Sequence, residues 1–211
     1  MKITLPDNSS RELPEGSSGY DLAKDIGPGL AKSAIAVTIN GVQRDLHDAI
    51  DADASVSIIT IDSDEGVEIM RHTLTAQVLA RAIKNLYPKS KLAIGPTVQD
   101  GFYYDVESDE SISSDDLSKI EEEMKKIIKT KSAITKKLVS KKEALKIFKS
   151  NKEPYKEIII NESDQDDNFQ LYYQDDEEFV DLCRGPHLPN LGFIGSFKLT
   201  KVSGAYWKGD S

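Results

Sequence analysis

Apolar and polar positions fall into short blocks along the 211 residues of this chain. Residues 2–5 alternate with period two and predict a strand, closed by the turn chemistry of Pro6-Asp7-Asn8. Ser18 predicts the N-cap of a helix over residues 19–26, with Gly27 where a helix C′ residue belongs and Pro28 just beyond. Residues 33–39 are β-rich. They run into Asn40-Gly41, a strong hairpin signal, from which residues 42–46 return. Residues 55–61 read as a further strand. The order strand, strand, helix, hairpin, strand predicts a small β-grasp sheet.

The polar run Asp62-Ser63-Asp64-Glu65-Gly66 breaks this pattern. It sets the expected boundary between a first domain of residues 1–62 and a second of residues 63–211. Leu74, Val78, Leu79, Ala82, Ile83 and Leu86 form one stripe of a helix that Pro88 ends. Residues 92–104, with Gly95-Pro96 and Gly101-Phe102-Tyr103-Tyr104, read as sheet and turn. Leu117, Ile120, Met124, Ile127 and Ile128 mark a second amphipathic helix. Ser140-Lys141-Lys142-Glu143 is a capping box for a third, whose apolar face is Ala144, Leu145 and Phe148. Residues 157–160, 171–173, 179–182 and 197–202 look like strands, and residues 162–168 like an acidic loop. Helices and strands come in blocks, so the second domain is expected to be α+β, like the first.

Charge adds to this picture. The net charge is −9 and the sequence pI about 4.9, which taken whole argues against binding nucleic acid. From Met124 to Lys156, however, twelve lysines stand with two acids, a local charge of +10. Such a segment is either a solvated pair of lysine-rich helices or a face that meets RNA. No apolar run approaches the ~20 residues of a membrane span, and no apolar stretch follows Met1. No membrane partner and no secretory signal are therefore expected. A single cysteine, Cys183, excludes an internal disulfide and fits a reducing, cytoplasmic setting.

Candidate chemistry centres on a few residues. The histidines are His47, His72 and His187. Cys183-Arg184-Gly185-Pro186-His187 brings a thiol and an imidazole near one another around a Gly-Pro turn. A Cys–His nucleophile pair, two metal ligands, two groups that position water, or a buried cysteine beside a turn histidine all fit that spacing. His72 is a third candidate ligand, which leaves a zinc shell short, so no metal is expected. Phe102-Tyr103-Tyr104 and Leu171-Tyr172-Tyr173 are either core or the wall of a pocket that stacks a base. Lys156 follows Tyr155 at the end of the basic segment.

At these residues a family resemblance becomes visible. Asp25-Ile26-Gly27-Pro28-Gly29-Leu30-Ala31-Lys32, Arg71-His72, Ala93-Ile94-Gly95-Pro96 and Gly101-Phe102-Tyr103-Tyr104-Asp105 appear in order. Val180-Asp181-Leu182-Cys183-Arg184-Gly185-Pro186-His187 and Gly204-Ala205-Tyr206-Trp207-Lys208-Gly209-Asp210 follow. Together they closely resemble the N-terminal half of bacterial-type threonyl-tRNA synthetase. The resemblance implies a TGS domain of β-grasp type, then an editing domain of the kind shared with alanyl-tRNA synthetases. It makes Ser211 a fragment boundary, ahead of a class II core and an anticodon-binding domain.

The resemblance also implies a reaction: hydrolysis of seryl-tRNA(Thr) made in error, with the tRNA(Thr) acceptor arm as partner. One methyl group is worth only ~1–3 kcal/mol of discrimination, so a second site must remove the wrong product. Matched by position, Lys156 falls on the family's catalytic lysine. Cys183 and His187 fall on its Cys-x-x-x-His pair, Asp181 and Tyr104 on substrate contacts, and Gly95 on a pocket-wall glycine. The family's His-x-x-x-His is altered here. Counted from upstream, His72 takes the first position and Ala76 the second; counted from downstream, Thr73 and Gln77 take them, with one extra residue at the helix start. No cofactor is implied for this fragment, since the family's ATP, Mg and Zn belong to the missing core. The homodimer contact lies there too, so a monomer is expected. Two other readings remain: a non-catalytic acceptor-arm binding module and a zinc-dependent aminoacyl-tRNA hydrolase.

Overall fold

The structure, a computed structural model, describes residues 1–204, so the expected motif at 204–210 lies outside the described residues apart from Gly204. Two compact units divide the chain. One comprises Met1–Met70 with Gly185–Phe193, and the other begins with Arg71–Arg184 and resumes at Ile194. The junction expected at residues 62–63 lies ahead of this division, and the first unit also takes in a late segment.

The first unit runs β1 (Lys2–Thr4), β2 (Ser10–Glu12), α1 (Gly19–Ile26), α2 (Pro28–Ser33), β3 (Ala34–Ile39), β4 (Val42–Asp45) and β5 (Ala54–Thr60). Its sheet has the order β2-β1-β5-β3-β4, with β1 parallel to β5 and the other pairs antiparallel. This is the expected β-grasp arrangement. Ser18 caps α1 and forms a full capping box with Asp21. Asn40 (φ 49°) and Gly41 (φ 82°) supply the two left-handed positions that a tight β3–β4 hairpin requires. Ile3, Leu22, Val37, Ile39, Ile50 and Val56 close the core between α1 and the sheet. Each such side chain contributes ~1.5–3 kcal/mol on burial. Helix and sheet approach closely at Gly19, where a Cβ would lie 2.8 Å from Val37 Cβ. Pro28 does more than follow a helix end: it is the first residue of α2, where its missing N–H costs nothing.

The polar run at 62–66 starts a helix. In α3 (Asp64–Thr73), Ser63 accepts the Gly66 N–H at 3.0 Å, and Asp64 and Glu65 stand in the first turn, where acids complement the helix dipole. A helix is thus present ten residues before the apolar stripe begins. It continues into a π-helical turn (Leu74–Leu79) and α4 (Ala80–Leu86).

The second unit adds four two-residue strands, β6 (Lys91–Leu92), β7 (Thr97–Val98), β8 (Gly101–Phe102) and β9 (Val106–Glu107). β6 pairs with β9 and β7 with β8, giving one nested hairpin. There follow α5 (Leu117–Lys129), β10 (Ile134–Val139), α6 (Lys141–Ser150), α7 (Pro154–Glu162), β11 (Phe169–Gln174) and β12 (Val180–Leu182). β10, β11 and β12 form an antiparallel sheet in that order. Ala144, Phe148, Ile160, Phe169 and Leu171 pack α6 and α7 against it.

Three expectations change here. Residues 157–160 are helical despite three consecutive isoleucines, because Pro154 starts α7 and only Ile160 of the three is fully buried. β10 lies inside the basic segment, where lysines hide its alternation. Residues 197–202 form no strand, and the Leu199 N–H donates instead to the buried Glu121 carboxylate at 2.8 Å. No helix among the described residues is long and apolar enough to cross a membrane.

A Cβ on Gly66 would fall 2.0 Å from the Thr60 carbonyl oxygen, a backbone atom with no rotamer to escape into. Gly66→Ala should therefore cost ~1–3 kcal/mol, read as a lower melting temperature of the chain. A melting curve that matches the parent's would show that the α3 start is loosely packed.

Candidate active site

The site is built within the second unit, on β12. Alternation along this strand sends Asp181, and Cys183 just beyond it, to one side, while Val180 and Leu182 pack into the α6–α7 core on the other. The Cys183 N–H donates to the Gln170 carbonyl at 3.2 Å, which extends the β11 ladder past the end of the strand and fixes the thiol's backbone.

Lys156 comes to Asp181 from the first turn of α7. It is 3% exposed and Asp181 is 2% exposed, and their charged atoms lie 2.7 Å apart. The phenol of Tyr104 completes the group: Lys156 Nζ donates to it at 3.0 Å, and it donates to Asp181 Oδ2 at 3.2 Å. The Leu182 N–H gives Asp181 Oδ1 a further bond at 2.8 Å. Burial works against the lysine charge, but the Asp181 carboxylate and the Tyr104 oxygen outweigh it and hold the ammonium above the usual lysine range. Burial, then Asp181, also pushes the Tyr104 phenol well above its ordinary value. Near neutral pH the group is thus a protonated lysine and a neutral phenol. Both are hydrogen-bond donors, and neither is a base.

A second clamp aims Lys156. Glu153, 5% exposed, stands at the N-cap of α7 and accepts the Leu92 N–H at 2.7 Å. It also pairs with Lys84 of α4 at 2.7 Å, and Lys84 in turn donates to the Ser90 carbonyl. One carboxylate thereby ties α4, the start of the hairpin and the helix that carries Lys156. The hairpin brings in Gly95 and Tyr104. A Cβ at Gly95 would lie 2.3 Å from the Tyr104 ring and 2.9 Å from Thr75 Oγ1, so a glycine is needed for the ring to reach the ion pair. Thr75, on the π turn, donates to the Tyr103 carbonyl at 2.7 Å and fixes the other side of the hairpin.

His72 faces the same side of β12, with its Nε2 2.8 Å from Cys183 Sγ. Thr73 and Gln77 are fully buried, and the Gln77 backbone and side-chain oxygens accept from Gln174 at 3.0 and 3.3 Å. Ala76 is buried as well. His187 belongs to the first unit, where it is buried and its backbone N–H donates to Asp45 Oδ1 at 2.9 Å. The second unit therefore unites Lys156, Asp181, Tyr104, Gly95, His72 and Cys183. Glu153, Lys84, Thr75 and Gln174 were missed from the sequence. Only the Glu-Pro pair at 153–154 signals a helix start there.

Comparison with known proteins reaches the two ends of the chain. Residues 1–60 match the TGS domain. Residues 170–211 match the threonyl and alanyl tRNA synthetase second additional domain. In this order the two match the N-terminal TGS and editing region of a threonyl-tRNA synthetase. A tRNA synthetase-related editing or tRNA-binding role follows, with tRNA as partner. β12 and Cys183 lie inside the second match. His72, Gly95, Tyr104 and Lys156 lie outside it, and folding alone brings them to this editing-type strand.

Removing one member of a buried ion pair leaves the other uncompensated, at a cost of ~3–5 kcal/mol, whereas replacing both with apolar residues is often nearly neutral. Lys156→Met alone should lower the free energy of unfolding by about that amount, and Lys156→Met with Asp181→Leu should regain most of it. Since the lysine value is raised by folding, its stabilisation should hold at every pH below about 10, where the unfolded lysine is also charged, and fade only above that. Urea titrations at pH 6, 8 and 10 test both statements; equal losses in the single and double variants would contradict the first.

Proposed function

We propose that this chain is the TGS and editing part of a threonine–tRNA ligase and that its second unit hydrolyses the ester of seryl-tRNA(Thr). The observation that carries the reading is the buried Lys156–Tyr104–Asp181 group on the same side of β12 as the His72–Cys183 contact, in a chain with both synthetase-type domains.

The reaction needs an oriented water, a donor for the oxyanion that develops on the ester carbonyl, and a proton for the departing ribose oxygen. An ammonium has three donors. Asp181 and Tyr104 take two from Lys156, which leaves one N–H for a substrate oxygen. Asp181 holds this charge in place where desolvation would otherwise drive it off, so the donor is preorganised before the substrate arrives. Held protonated and tightly paired, Lys156 is suited to stabilise negative charge and unsuited to abstract a proton. His72 and Cys183 are the groups that hold the attacking water. The exposed lysines of α5 and α6, among them Lys129, Lys142, Lys146 and Lys149, present positive charge to the phosphates of the acceptor arm.

Release of labelled serine from seryl-tRNA(Thr) tests the reading. The intact chain should release serine, and Lys156→Ala should slow it ~10²–10³-fold, the usual cost of losing a positioned oxyanion donor. Between pH 7 and 10 the rate should show no alkaline fall, because neither Lys156 nor Tyr104 gives up its proton there. Metal chelation should leave the rate unchanged; loss on chelation, with zinc found by elemental analysis, would favour the metal-dependent alternative. Release no faster than the spontaneous rate would leave only the acceptor-arm binding module.

Affinity for the same tRNA should fall steeply with salt, each neutralised phosphate contributing ~0.7–0.9 to the slope of log K against log salt. Lys→Glu changes at 129, 142, 146 and 149 together should flatten that slope. Affinity that ignores both salt and these changes would remove the basic segment from the interface.

A further inference from the structure

The helix that walls the site is irregular at one place. At the end of the Leu74–Leu79 turn the Ala80 N–H reaches back five residues, to the Thr75 carbonyl, where an α-helix reaches back four. A turn of this kind holds one more residue than the α-helix around it.

Both sides of the turn are fastened. Upstream, Arg71 donates to the Gln99 carbonyl at 2.9 Å, and His72 lies 2.8 Å from Cys183. Downstream, Gln77 accepts from Gln174, Arg81 donates to the same Gln174 at 2.7 Å and pairs with Asp176, and Lys84 pairs with Glu153. In a uniform α-helix, residues five apart such as His72 and Gln77 stand about 140° apart around the axis. Without the π turn, and with the downstream side held, the upstream side would turn by about 100° and slide by about 1.5 Å. The imidazole would leave Cys183, and Thr73, which is now fully buried, would swing toward the position His72 holds.

We propose that the π turn is a register-correcting insertion: it absorbs one extra residue and so makes His72, with Gln77 as its partner one turn on, the pair that this helix presents to the site. The two ways of counting the altered motif then hold together. The upstream count assigns His72, the downstream count assigns Gln77, and the surplus residue sits in the π turn between them. Gln77 carries a buried Nε2 without a hydrogen-bond partner among the described residues, a donor left for a bound ligand. His72 positions the thiol and supplies the imidazole. For its effect on rate, the proposal rests on the deacylase reading above.

The test deletes the surplus. Removal of Leu74 should give a regular α-helix with His72 still on Cys183. The variant should melt cooperatively, alkylate at Cys183 with iodoacetamide within about twofold of the parent rate, and release serine at a comparable rate. His72→Ala should change Cys183 alkylation at least about threefold and slow serine release roughly tenfold or more, in the parent and in the deletion background alike. Gln77→His should raise release in the parent. The proposal is overturned if the deletion variant folds but alkylates and hydrolyses like His72→Ala, or if His72→Ala changes neither readout. Failure of the deletion variant to fold, with no gain from Gln77→His, overturns it too. A chain with no hydrolysis in any background defeats the deacylase reading alone, and Cys183 alkylation still decides the register.

Discussion

A buried ammonium and a buried carboxylate 2.7 Å apart are the constraint around which the second unit is arranged. Desolvating both charges costs several kcal/mol each, and the pair is tolerable because further hydrogen bonds support it. Tyr104 bridges the two charges and the Leu182 N–H adds to the carboxylate. The requirement propagates outward. Tyr104 reaches the pair only over a glycine at 95, and the hairpin that carries it is pinned by Thr75 and by Glu153. Lys156 is aimed by the same Glu153 through the start of α7.

An apolar pair of similar shape would serve stability as well or better. What an apolar pair cannot do is present a fixed, buried cationic donor. The surroundings keep that donor protonated, so in the proposed reaction it would meet negative charge as it forms. On the proposed reading two tasks separate along the site, with charge stabilisation at Lys156 and the attacking water on the His72–Cys183 side.

Charge is also divided between surface and interior. Of the lysines in the basic segment, Lys156 alone is buried. The others stand on or between α5, β10 and α6, several of them paired with neighbouring acids such as Glu121, Glu123 and Glu177. An acidic chain with one basic region has the electrostatic means to orient an RNA on a single face.

Much of the first unit was legible in the sequence because its signals are local. The Ser18 cap, the Asn40-Gly41 turn and the short β-rich runs each act within a few residues, and together they point to the β-grasp order. Lys156, Cys183, His187, Asp181, Tyr104 and Gly95 were named from motifs, but spacing held no information on which of them meet. Asp181 and Lys156 are 25 positions apart in the chain, and Tyr104 is 52 from Lys156; only sheet pairing and the α7 start bring them together. At the isoleucine run 158–160 a local signal outweighed β propensity: Pro154 starts α7, and the helix buries Lys156 and Ile160 one turn apart. The histidine register was undecidable from sequence for a geometric reason. Residue order is blind to where a helix changes from four-residue to five-residue bonding, and that change sets whether position 72 or 73 faces the thiol.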